Sequence, residues 1–289
     1  MPIFIDPTTD FGFKRLFGEE KSKTVLKNFL SDILGLPSRI EQITFLPREQ
    51  LPESATERRG ILDLYCITEM GERFIVEMQK SRQKYFKDRA VYYSTFPIAK
   101  QAEKGEAWQY YLEPVYCVGI LGFSLSDNND YFSTIKLRND LTNEVFYEKL
   151  TFVFIELPNF HLTLSQLSTP LEKWVYLLRH LPRLDEIPQE FSEGYLREAC
   201  EIAQFAALTA RERELYEHSL KVARDSYAIY KTIEEEATEK GIAEGIEQGI
   251  EQGVAQVVIT MMKEKIPIAT IVKCTGLSSD EIEQLARRA

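Results

Sequence analysis

Cysteine and histidine are scarce in this chain of 289 residues, and the few present lie scattered. Cys66, Cys117, Cys200 and Cys274 form no Cys-x-x-Cys pair, which excludes a zinc knuckle and argues against a disulfide frame. They read as reduced, mostly buried thiols of a cytosolic protein. His161, His180 and His218 are just as isolated, so the chain has no His-x-x-x-His metal helix. No run approaches the roughly 20 apolar residues that a membrane-spanning helix needs. The opening Met-Pro-Ile-Phe-Ile-Asp-Pro has neither the basic region nor the apolar core of a secretory leader. A soluble protein of the cytoplasm is expected.

Positive charge is also in deficit, with 35 Lys and Arg against 45 Asp and Glu and a net charge of −10. Taken whole, that opposes nucleic-acid binding, which calls for a basic surface. Its distribution weakens the objection. Residues 1–110 hold 17 basic against 16 acidic residues, and residues 111–289 hold 18 against 29, so the acidity lies in the second part. Lys80, Arg82, Lys84, Lys87 and Arg89 cluster in the first part. Such a run is either a solvated helix face or a phosphate contact.

What the chain does have is a pair of carboxylates inside two apolar, strand-like runs. Asp63 lies in Gly-Ile-Leu-Asp-Leu-Tyr-Cys (60–66) and Glu77 in Phe-Ile-Val-Glu-Met-Gln (74–79). With Glu69-Met70-Gly71 as a three-residue hairpin loop and Gly71 left-handed, Thr68 faces Glu72 and Asp63 falls opposite Glu77. Alternation puts Gln79 on the Glu77 face, and Val76, Met78 and Lys80 on the other. Like charges opposed across a ladder are destabilising. Two explanations stand: arginines such as Arg58, Arg59 or Arg89 neutralise them, or a bound cation does. Two carboxylates, a backbone carbonyl, waters and a substrate phosphate are ligands that suit Mg²⁺.

Around the hairpin the periodicities predict a helix over 21–34 ended by Gly35 and Pro37, and a strand over 40–46 closed by Pro47. A helix over about 83–104 follows, with Pro97 predicting a kink or break. Val115–Phe123 and Thr151–Leu157 are apolar runs suited to buried strands. From Pro170 onward the pattern is helical, with helices over 171–181, 191–208 and 210 to about 238. A four-residue repeat follows in which Gly241, Gly245, Gly249 and Gly253 alternate with Ile242, Ile246, Ile250 and Val254. Residues 271–285 have a helix-turn-helix-like pattern around Gly276, but its second helix carries Asp280, Glu281 and Glu283, which repel phosphates. A protein-contact element is expected there.

Five segments, in this order, resemble the Rpn family of recombination-promoting nucleases and putative transposases, within the PD-(D/E)XK nuclease superfamily. They are Pro-Thr-Thr-Asp-Phe-Gly-Phe-Lys-Arg-Leu-Phe-Gly (7–18), Ile-Val-Glu-Met-Gln (75–79), Asp-Arg-Ala-Val-Tyr-Tyr (88–93), Lys-Gly-Glu-Ala-Trp (104–108) and Ile-Glu-Leu-Pro-Asn-Phe (155–160). The chain departs from the pattern in two places: Gln79 stands where the superfamily usually has lysine, and Asn159 where a lysine is frequent.

The resemblance implies an α/β fold, a restriction-endonuclease-like core with a mixed sheet flanked by helices, followed by an all-helical C-terminal extension. Expected bounds are 1–165 for the core, 166–240 for the helical extension, and 241–289 for the repeat helix and end segment. It implies a metal-dependent DNA endonuclease linked to recombination or mobile elements. Asp63, Glu77 and Gln79 would be catalytic, with Asp63, Glu77 and the Met78 carbonyl holding Mg²⁺ or Mn²⁺. Gln79 cannot titrate, so its role would be to hold the attacking water or a phosphate oxygen. Lys14, Arg89 and Tyr92 are candidate phosphate contacts; each also has a purely structural reading, as a surface lysine, a salt-bridged arginine and a core tyrosine. Asp10 would cap its helix or approach the metal. The competing function is a nuclease-like module of little turnover, acting through DNA binding or protein contacts. For residues 241–254 the alternatives are a homo-oligomer contact and a helical linker.

Overall fold

The computed structural model describes residues 3–36, 39–50, 60–102, 109–125 and 128–288. The segment 104–108, Arg58 and Arg59 lie outside the described residues. Helix α1 (Asp10–Phe17) is capped by Thr9, whose Oγ1 accepts the Gly12 amide at 3.1 Å. The cap is therefore Thr9 and not Asp10, because Thr9 keeps the extended backbone a cap requires while Asp10 is already helical. Helix α2 (Lys23–Leu34) ends at Gly35, which takes the left-handed conformation at φ +56°. Its Val25, Leu26, Phe29, Leu30 and Ile33 form one buried face.

Strands β1 (Ile43–Phe45), β2 (Glu49–Gln50), β3 (Gly60–Ile61), β4 (Leu64–Thr68) and β5 (Arg73–Gln79) follow. The β4–β5 hairpin closes as its spacing predicts. Thr68 N donates to Glu72 O and Gly71 N to Thr68 O, each at 3.0 Å, with Gly71 at φ +83°. Helix α3 (Phe86–Ala99) continues through Pro97 and ends two residues later, so the proline sits in the last turn and does not break the helix.

Strands β6 (Val115–Leu121), β7 (Phe132–Arg138) and β8 (Val145–Glu156) complete a six-stranded mixed sheet of order β1-β4-β5-β6-β8-β7. The β5–β6 and β6–β8 pairs are parallel and the others antiparallel. Strand β7 is an addition to the expected set: it is an edge strand with mostly exposed or half-buried residues, so it lacks the apolar run that marks a buried strand. Helix α3 covers one sheet face through Phe86, packed with Ile75, Cys117, Leu121 and Phe154. On the other face, Leu64, Val76, Val118 and Ile155 share a larger core with α1, α2, α4 (Pro170–His180) and α5 (Gly194–Ile202). Trp174 of α4 stands at its centre, in contact with Phe17 and Phe29, its indole donating to Asp32 at 2.9 Å.

The helix expected over 191–208 forms only as α5. Ile5 N donates to Ala203 O and Phe205 N to Ile3 O, both at 2.8 Å, so the N-terminal segment draws residues 203–205 into extended pairing. Two units are distinguished, Met1–Ala223 and Arg224–Ala289. Helix α6 (Ala210–Lys263) carries the glycine repeat as continuous helix. In the second unit Val258 of α6, Ile271 of α7 (Ile268–Thr275) and Ile282 of α8 (Ser279–Arg288) are buried together. The α7–α8 turn is as expected: Gly276 is left-handed at φ +73°, and Ser278 and Glu281 exchange capping bonds. Among the described residues no helix is long and apolar enough to cross a membrane.

Candidate active site

The register Leu64↔Val76, Tyr65↔Ile75 continues outward to Asp63 and Glu77. The Asp63 amide donates to Glu77 Oε1 at 3.0 Å, and the Met78 amide donates to Asp63 Oδ2 at 3.0 Å. Both carboxylates are half-buried at the end of the hairpin away from its loop. Burial, and secondarily the charge of Asp63, pushes Glu77 up to about 8 against the help of the Asp63 amide and Arg89. Burial raises Asp63 as well; the Met78 amide, Lys14 and Arg89 oppose the rise, and Asp10 adds to it. Two carboxylates thus meet in a poorly solvated place with too little positive charge to satisfy both.

Gln79 lies on the Glu77 side, its Nε2 3.4 Å from Glu77 Oε2. The Met78 side chain packs into the larger core, leaving its backbone at the pair. Lys80 turns to the other side and reaches Asp6 at 3.5 Å, so it does not replace the missing lysine. Arg89 reaches the site from α3. Its guanidinium lies over the rings of Phe86 and Tyr93, at 5.8 and 5.6 Å, and Nη1 donates to Gln83 at 2.6 Å. Among the described residues its Nη2 is buried with no hydrogen-bond partner. With Tyr93, Cys117 and Gly119, Arg89 lines a hollow of about 20 Å³ beside Glu77.

Tyr92 lies on the exposed side of α3, edge-on to Phe96 at 5.0 Å. Tyr93 takes the place beside Arg89 instead, four residues from it and on the buried side, which the adjacent Tyr-Tyr pair left ambiguous in sequence. Lys14 pairs with Asp10 at 2.6 Å and lines a cleft of about 180 Å³ with Phe45, Leu46, Arg48, Leu64, Tyr65 and Asp63. Arg48 in that cleft carried no sequence signal, since it follows Pro47 in an irregular stretch. The Asn159 side chain is engaged at the end of β8. Its Oδ1 accepts from Ser124 at 2.6 Å, and its Nδ2 donates to Glu156 Oε2 at 3.0 Å and to Asp130 O at 3.1 Å, tying the end of β8 to the loop after β6.

The donor set fits a hard divalent cation. Its oxygens are carboxylates with raised proton affinity, the neighbouring amides already fix their orientation, and the cleft beside Asp63 leaves room for further oxygen ligands. Among the described residues no third acidic, histidine or cysteine ligand joins the pair. Mg²⁺ sites of one or two carboxylates completed by water and phosphate have this composition.

The mixed sheet with helices on both faces has the PD-(D/E)XK nuclease fold. A family model described as PD-(D/E)XK nuclease family transposase matches residues 7–232, and the chain belongs to that family. No curated protein and no solved structure matches it.

Proposed function

We propose that the chain is a metal-dependent DNA endonuclease that hydrolyses phosphodiester bonds in recombination or mobile-element chemistry inside the cell. The observation that carries this reading is the Asp63–Glu77 pair, opposed on one ladder and clasped by the Asp63 and Met78 amides. Asp63, Glu77 and the Met78 carbonyl would hold Mg²⁺ or Mn²⁺, which when bound supplies a nucleophilic water at neutral pH and a counter-charge for the phosphate. Gln79 orients the attacking water or a phosphate oxygen through its amide. Lys14 and Arg48 border the cleft at Asp63 and offset the charge of an entering phosphate. Arg89 holds positive charge behind Glu77, and Tyr93 fixes the guanidinium plane.

Incubating supercoiled plasmid with the full chain, with Mg²⁺, with Mn²⁺ or with EDTA, tests the reading. Nicked or linear product in the metal arms alone is expected; product in EDTA, or none in any arm, would overturn it. A second contact is proposed for residues 241–254, where Ile242, Ile246 and Ile250 are exposed and would bury against another copy of the chain.

A further inference from the structure

Tyr85, the residue just before α3, and Tyr92 within it both present exposed rings, with Arg89 between them in the chain and packed on Phe86 and Tyr93. Tyr85 is 65% exposed and Tyr92 43% exposed, an unusual amount of ring surface to leave in water beside a charged site. Arg89, between them in sequence, lines the hollow at Glu77, so the two rings border a residue that reaches the candidate site. Cations accompany the rings. Residues 82–89 carry Arg82, Lys84, Lys87 and Arg89 against the single acid Asp88, on a chain whose net charge is −10. The Lys84 ammonium lies 5.4 Å from the centre of the Tyr85 ring.

Exposed rings interleaved with cations match a particular ligand. Basic side chains follow the phosphates, and each ring offers a face on which a base stacks whatever its identity. A base inside an intact duplex has both faces covered by its neighbours, so only an unstacked base can use such a ring. We infer that the Tyr85–Tyr92 stripe binds unpaired bases next to the cleavage point, and that the favoured substrate class is DNA with a single-stranded portion, such as a free strand, a gap or a flap.

The inference rests on the nuclease reading, and its test separates the two. The full-length Glu77→Gln chain is titrated, by fluorescence anisotropy in Mg²⁺, against a labelled single strand, the blunt duplex of the same sequence and that duplex with a gap. The strand and the gapped duplex should bind about tenfold more tightly than the blunt duplex, the scale of one stacked base. Adding Tyr85→Ala should narrow that ratio, and Tyr85→Phe should preserve it because the ring remains. Equal affinity for strand and duplex, or a ratio unmoved by Tyr85→Ala, would overturn the inference and leave the stripe to a protein partner. If the parent chain nicks plasmid with metal yet shows no preference for the strand, only the stripe assignment fails. A ring-dependent preference in a chain that cuts nothing keeps the stripe and removes the nuclease reading.

Discussion

The amide of Asp63 donates to the carboxylate of Glu77 at 3.0 Å, and the carboxylate of Asp63 accepts from the residue after Glu77, Met78, at the same distance. This reciprocal clasp fixes both side chains before any ligand arrives, and it does so with backbone groups that no side-chain substitution removes. Asp63→Asn and Glu77→Gln keep an acceptor oxygen at each position and nearly the same shape. Each should therefore leave circular dichroism unchanged while lowering metal-dependent plasmid nicking by more than about a hundredfold. Either variant cutting at the parental rate would remove the site assignment.

Burial of the same pair has a pH signature in the absence of metal. Glu77 is raised from the usual carboxylate range to about 8. The folded state therefore holds this proton more tightly than the unfolded chain does. The stability associated with it is fully present below the unfolded pKa and is lost progressively as pH rises toward about 8. Glu77→Gln cannot ionise and escapes the loss. In EDTA its melting temperature should exceed the parent's by on the order of 5 °C at pH 8, with the gap closing near pH 5. A gap of constant size across that range would show that Glu77 is not raised. Adding Mg²⁺ at pH 8 should recover the parent more than the variant.

Gln79 poses a sharper chemical question, since its Nε2 is already within 3.4 Å of Glu77 Oε2. A lysine there brings a positive charge to the pair, which lowers the proton affinity of Glu77. Gln79→Lys should nick plasmid at least as fast as the parent, with its rate profile displaced to lower pH. Gln79→Ala should be slower at every pH, because the amide that orients water or phosphate is gone. Loss of all activity in Gln79→Lys would mean that the site has adapted to a neutral residue.

The hairpin was legible because one glycine decides it: Gly71 sets the loop, the loop sets the register, and the register brings Asp63 to Glu77. The buried strands β6 and β8 announced themselves as apolar runs. Elements that depend on distant partners did not. Strand β7 pairs along one edge only and reads as polar chain, and α5 ends where residues 3–5 capture residues 203–205. At two positions adjacency concealed the packing. Thr9 rather than Asp10 caps α1, and Tyr93 rather than Tyr92 meets Arg89, in each case a rotation of one residue that only packing decides.

The repeat in α6 leads to the last expectation. Gly241, Gly245, Gly249 and Gly253 each have open space where a Cβ would stand, so nothing among the described residues requires glycine there. In a helix interior each is about 1 kcal/mol less favourable than alanine. Ile242, Ile246 and Ile250 are 58%, 59% and 63% exposed along the neighbouring stripe. If the segment only links, Gly245→Ala with Gly249→Ala should strengthen the helix and leave the mass in solution unchanged. If two backbones approach here, the added methyl groups hold them apart and the oligomer should dissociate even though the helix itself is stronger. Light scattering on the parent, on this double variant and on a chain ending at Lys240 reads the outcome. We expect an oligomer for the parent and a monomer for both of the others; a parent that is already monomeric, or a double variant that stays assembled, would leave the glycines without a role in contact.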